Sequence, residues 1–189
     1  MILLASIPIG IVLGLLLRGR LAALGGLHFA WAPVAMAGLL VQMALFTPSG
    51  AALAGGLSGV IYVASTAAVF VAVARNLRTT GMPIVALGAL SNLAAISANG
   101  GAMPTTTAAL AAAGLDGPGA YTNSVVVPNP LLQPLTDIFA IPAGVPFANV
   151  FSIGDVLIGL GIILVIVAAM RRSPMASGGL PATGSPAGT

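Results

Sequence analysis

The sequence predicts an all-α membrane protein with five transmembrane helices, an outside N-terminus, a cytoplasmic C-terminus and a long extracytoplasmic loop that carries short helices. Three observations predict it. Of the 189 residues, 58% are hydrophobic and 5% are charged, against about a quarter charged in a soluble domain. Five uncharged apolar runs come close to the roughly 20 residues that a helix needs to cross the hydrocarbon. The six basic residues are all arginines and form three clusters, Arg18 with Arg20, Arg75 with Arg78 and Arg171 with Arg172. Five crossings bring all three clusters to one face, and the cytoplasmic face is the one that collects such charge.

Composition also narrows function. Disorder needs low hydrophobicity and high charge, the reverse of this balance. A net charge of +3 would direct a soluble protein toward nucleic acid, but six dispersed arginines build no basic patch, so no nucleic-acid partner is expected. Cysteine is absent, which excludes disulfides, a thiol nucleophile and thiolate metal sites.

Taken in order, residues 1–170 form a single transmembrane domain. The first span runs from Met1 to Leu17. Its charge follows the apolar run, where a signal peptide carries charge before it, so it reads as a permanent helix, bent near Pro8. The second span covers about Phe29 to Phe46, with His28 and Trp31 at its cytoplasmic end, the depth at which amphipathic side chains anchor. The third covers about Leu57 to Ala74 and the fourth Pro83 to Ala98. In the fourth, Gly88, Asn92, Ala95 and Asn99 recur at helical spacing and give one small, polar face suited to close helix contact. The pairs Gly10 with Gly14 and Gly55 with Gly59 have the spacing that serves the same purpose.

The loop 99–151 holds seven of the 14 prolines. Thr105 or Thr106 can cap a short helix through Ala113, which Gly114 ends. From Asn129 to Ile141, helical spacing places Leu131, Leu135 and Ile138 on one face and Gln133, Thr136 and Asp137 on another. The expectation is an amphipathic piece lying on the outer leaflet as a cap over the bundle, with a cysteine placed at Ser124 open to an impermeant reagent. The fifth span covers about Ser152 to Met170. Ser152 and Asp155 have the spacing of a capping box, the carboxylate lying near the positive end of the helix dipole. Residues 171–189 read as a disordered cytoplasmic tail. Its Leu180-Pro181-Ala182-Thr183-Gly184 has the letters of a wall-anchoring signal but no span after it.

Chemistry is sparse. The intramembrane polar face comprises Gln42, Tyr62, Ser65, Ser91 and Asn92, with no ionisable group well inside a span, where pumps and proton-coupled carriers need one. His28 and the acids Asp116, Asp137 and Asp155 fall on opposite sides of the bilayer, so no His-carboxylate metal site or nucleophile triad assembles. Neither an enzyme nor a bound cofactor or metal is expected. Asp137 approaching Asp155 across the cap would be the arrangement to suit a hard cation.

Asn99-Gly100-Gly101-Ala102-Met103-Pro104, Leu135-Thr136-Asp137-Ile138, Pro142, Pro146 and the run from Asn149 through Ser152, Gly154 and Asp155 to Ile158 resemble the signature of a family of uncharacterised bacterial multi-helix membrane proteins, catalogued as a domain of unknown function. The resemblance implies a multi-pass plasma-membrane protein. It gathers Asn99, Gly100, Gly101, Pro104, Asp137, Asn149, Ser152, Gly154 and Asp155 in one outer-face cluster, binding or structural, and brings no activity with it.

The resulting expectation is a non-catalytic accessory or scaffold subunit of a plasma-membrane assembly, surrounded by lipid, with a membrane-protein partner or a second copy of itself. The alternative is a protein that binds or passes a small solute, ion or lipid through an outer vestibule.

Overall fold

The computed structural model describes residues 2–117 and 124–172. The tail expected to be disordered, with its anchoring-signal letters, lies beyond Arg172 and outside the described residues. Helices occur at all five apolar runs: α1 (Ile2–Leu16), α2 (Ala32–Leu45), α4 (Ser58–Ala74), α5 (Met82–Ala98) and α7 (Ile153–Met170), with the short α3 (Pro48–Ala54) and α6 (Thr107–Ala113) between them. Helix α2 starts later than the hydropathy predicts because Asn76, 7% exposed, accepts from the Ala30 amide and donates to its carbonyl, holding that backbone outside the helix. Trp31 then turns through a φ of 63° and Pro33 fills the first turn, where its missing N–H costs no hydrogen bond.

Two helical stretches are long and apolar enough to cross a membrane, Pro48–Ala74 and Ile153–Met170, of 27 and 18 residues. The first is α3 running through a 3₁₀ turn into α4. Helices α1, α2 and α5 are apolar and shorter. At a rise of about 1.5 Å per residue, α5 extends roughly 26 Å.

The helices pack in the order α1, α7, α5, α4, α2, and among the described residues the two ends of this row, α1 and α2, share no extensive contact. Glycines set the close contacts. A Cβ on Gly10 would lie 3.1 Å from Ile166, and one on Gly14 would strike Met170, so α1 and α7 run parallel with backbones nearly touching. Gly88 sits against Gly154 and Ile158, and Gly81 against Gly161 and Val165, which makes α5 and α7 antiparallel. The pair Gly55 and Gly59 behaves otherwise than expected. Gly55 has no neighbour within 4 Å of its would-be Cβ, and Gly59 meets the Gly100–Gly101 turn in place of a helix.

All six arginines follow helix ends at one end of this bundle. The Arg20 amide donates to the Met170 carbonyl, and Arg75 stacks 4.7 Å over the Trp31 ring. The three aspartates and the described residues of the 99–151 segment lie at the other end.

That segment is not purely helical. Strands β1 (Met103–Thr105) and β2 (Ser124–Val126) pair in parallel, and β3 (Phe139–Ile141) pairs antiparallel with β4 (Asn149–Phe151). The amphipathic helix expected over Asn129–Ile141 is replaced by a 3₁₀ turn, Gln133–Leu135, followed by β3. Pro130 and Pro134 supply no amide to a helix there, and the Asp137 amide is bound instead to the Pro104 carbonyl at 2.9 Å. Ser124 is 3% exposed, so it is no site for the labelling expected of it. The Thr106 cap, its hydroxyl accepting from Ala109, and the left-handed Gly114 at φ 68° bound α6 as the sequence predicts.

Candidate functional site

The curved row of helices encloses a cavity of about 450 Å³ beneath the cap, within the roughly 300–1,000 Å³ of ligand pockets. Its walls are stripes at intervals of three and four residues, the helical repeat of one face. Helix α5 contributes Met82, Val85, Ala89, Asn92 and Ile96, and α4 contributes Tyr62, Thr66, Val69 and Val73. Helix α2 adds Ala35, Leu39 and Gln42, and α7 adds Asp155, Ile158 and Ile162. In the stripes of α2, α4 and α7 the polar residues lie toward the cap and the apolar residues toward the arginine end, while on α5 the apolar Ile96 lies on the cap side of Asn92. Asp137, Asn149 and Phe151 close the cap end, and Phe29 lines the other. Leu39 is 47% exposed although it lines the cavity, so the wall is open on the side of α2.

Asp155 is fully engaged. Its carboxylate accepts from the Ser152 amide at 3.1 Å and from the Asn92 amide group at 2.8 Å, while its own amide donates to the Ser152 hydroxyl at 3.0 Å. Ser152 in turn donates to Asn92 Oδ1 at 2.8 Å. The capping box expected at α7 therefore extends across to α5 and ties the two helices together.

Asp137 is different. It is 3% exposed, Ser124 donates to its Oδ2, and its Oδ1 has no hydrogen-bond partner among the described residues. Burial lifts its carboxyl from an ordinary 3.8 to about 7; the Ser124 hydrogen bond offsets part of that rise, the like charge of Asp155 adds to it, and the positive charge of the chain's N-terminus opposes it. A buried carboxyl with an open oxygen is costly to ionise without a partner.

A family model described as a family of unknown function (DUF5317) matches residues 26–167. The chain belongs to this family. No curated protein and no solved structure matches it. The DUF5317 match runs from before α2 almost to the end of α7, and so includes every cavity-lining residue except Ile2.

Of the outer-face residues singled out in this DUF5317 chain, Asp137, Asn149 and Asp155 line the cavity. Ser152 and Gly154 face Asn92, and Pro104 is buried in β1. Asn99 spans two chain segments, exchanging hydrogen bonds with the Leu131 backbone at 2.9 Å. Gly101, at φ 85°, lies so close to Gly59 that a Cβ would overlap the backbone there. Of the intramembrane polar residues, Gln42, Tyr62 and Asn92 line the cavity, Gln42 donating to Thr66 at 3.3 Å. Ser65 donates to the Tyr62 carbonyl, and Ser91 Oγ is buried without a partner among the described residues. His28 is exposed, with Nδ1 3.1 Å from the Gly26 carbonyl, at the end away from the acids. Among the described residues no three potential metal ligands come together. Sequence reasoning missed Ser124 as the partner of Asp137 and Asn76 as the anchor of Ala30, because neither pairing has a local spacing that announces it.

Proposed function

We propose that this DUF5317 chain is a non-catalytic, multi-pass protein of the bacterial plasma membrane that binds a ligand in the cavity under an outward-facing cap. The observation that carries the reading is the cavity itself, closed at its polar end by a buried carboxyl with an unpartnered oxygen. Helix packing alone needs neither. The arginine end is then cytoplasmic, and all five apolar helices traverse the bilayer, the shorter ones assisted by snorkelling flanks and local thinning. Large aliphatic residues support this embedding: Leu4, Leu16, Met36 and Met43 are each at least 62% exposed, a cost in water that lipid removes. A non-catalytic role is supported by the separation of His28 from the aspartates.

The accessory-subunit alternative draws only on those exposed aliphatic faces, which lipid would cover equally well. Native mass spectrometry of protein extracted mildly from its own membrane tests the choice. The expected result is one small molecule retained per chain. A stoichiometric partner protein with nothing retained in the cavity would reverse it in favour of an accessory subunit.

A further inference from the structure

The cavity has a direction. The stripe on α5 runs from Met82 to Ile96, about 20 Å at ~1.5 Å per residue, so the cavity is long for its volume. Its cap end presents Asp137, Asp155, Asn92, Asn149, Gln42 and Tyr62, set among apolar side chains such as Ile96 and Met103. The half toward the arginine end presents apolar side chains among the described residues, including Val73, Met82, Val85 and Ile162. Among the described residues no arginine and no histidine lines it. The polar end therefore offers carboxylate and amide oxygens and, among the described residues that line it, no cationic side chain. Each Asp155 oxygen already accepts a hydrogen bond, from Asn92 or from Ser152, whereas Asp137 Oδ1 is buried with no partner among the described residues.

We propose that the ligand is a single-chain amphiphile with a protonated amine or quaternary ammonium head, seated against Asp137 at the cap, its hydrocarbon chain extended between α4, α5 and α7 toward the arginine end. This rests on the binding reading above. The head offsets the repulsion between Asp137 and Asp155 and gives the desolvated carboxylate the partner that a buried charge requires. The chain takes the apolar stripe out of contact with water. The ligand comes from the bilayer, since the wall is open beside half-exposed Leu39 and α1 makes no extensive contact with α2 among the described residues.

The test uses the full chain in lipid nanodiscs, photolabelled with dodecylamine that carries a diazirine on its chain and competed with dodecylamine, dodecanol, dodecanoate or propylamine. Saturable labelling is expected at Val73, Met82 or Val85. Dodecylamine should compete at concentrations roughly tenfold below those of dodecanol and dodecanoate, the order of a charge-assisted hydrogen bond. Asp137→Asn should erase that ratio while leaving dodecanol unchanged. If dodecanol or dodecanoate matches dodecylamine on the native chain, the cationic head is wrong although the cavity still binds. Propylamine competing as well as dodecylamine would overturn the apolar half of the assignment. Labelling confined to outward Val12, Met36 and Met43 would overturn the binding reading itself. The comparison on the native chain decides the question even if Asp137→Asn fails to fold.

Discussion

Asp137 binds the Ser124 hydroxyl through one oxygen and nothing through the other. Its carboxyl, raised to about 7, holds its proton in the folded chain at pH values where the unfolded chain has already lost it. Between about pH 4 and pH 7 the folded state thus binds more protons than the unfolded state, so stability is highest at the acid end and falls as pH rises through this window. Each tenfold difference in proton affinity is worth about 1.4 kcal/mol, which makes the loss a few kcal/mol. Thermal unfolding of the ligand-free protein in neutral detergent should show a midpoint that drops between pH 5 and pH 8. Asp137→Asn should flatten that slope, and an unchanged slope would assign the pH dependence to another group. Asp155 differs in that each of its oxygens accepts a hydrogen bond, one from Asn92 and one from Ser152. The sequence foresaw its capping role and could not foresee that Asn92 would complete it.

Between elements, the contact of α5 with α7 is set by absent side chains. Gly88 and Gly154 let the two backbones meet, and the approach delivers Asn92 to both Ser152 and Asp155. A methyl group at position 154 would overlap Asn92 Oδ1 and lie 2.8 Å from the Gly88 carbonyl oxygen. Gly154→Ala should therefore lower stability by about 1–3 kcal/mol, the usual cost of overpacking. Gly56→Ala, with nothing within 4 Å of the added carbon, should leave the unfolding midpoint nearly unchanged. Equal effects of the two would remove this contact from the account. The cap shows the opposite dependence on sequence. Thr106 and Gly114 bound α6 through local hydrogen bonding and backbone conformation, and both were readable. The segment around Asp137 took its shape from Pro104, 33 positions earlier in the chain, through a strand-like bridge at Thr105. Periodicity alone favoured a helix there.

At the scale of the molecule, the bundle is polarised, with arginines at one end and aspartates with the cap at the other. On the topology proposed from the distribution of positive charge, the cap faces outward. Gly144 in the cap and Gly25 at the arginine end have open space around any added side chain. The chain has no natural cysteine, so Gly144→Cys should react with an impermeant thiol reagent in intact cells, and Gly25→Cys only after the membrane is permeabilised. The reverse pattern would invert the molecule. Ser124, which an open loop would have made the natural choice, is buried beside Asp137.

The sequence by itself determined the positions of the five apolar helices, the cap on α7, the bounds of α6 and the gathering of arginines at one end. Each depends on composition or on residues within a turn or two of one another, where spacing maps directly onto geometry. Tertiary structure alone decided that α2 would leave one side of the curved row open, that Gly59 would receive the Gly101 turn, and that Ser124 would meet Asp137. It also aligned the stripes of α2, α4, α5 and α7 around one cavity. Those outcomes depend on which helix faces which, and the hydropathy of a chain apolar on nearly every face does not encode that choice.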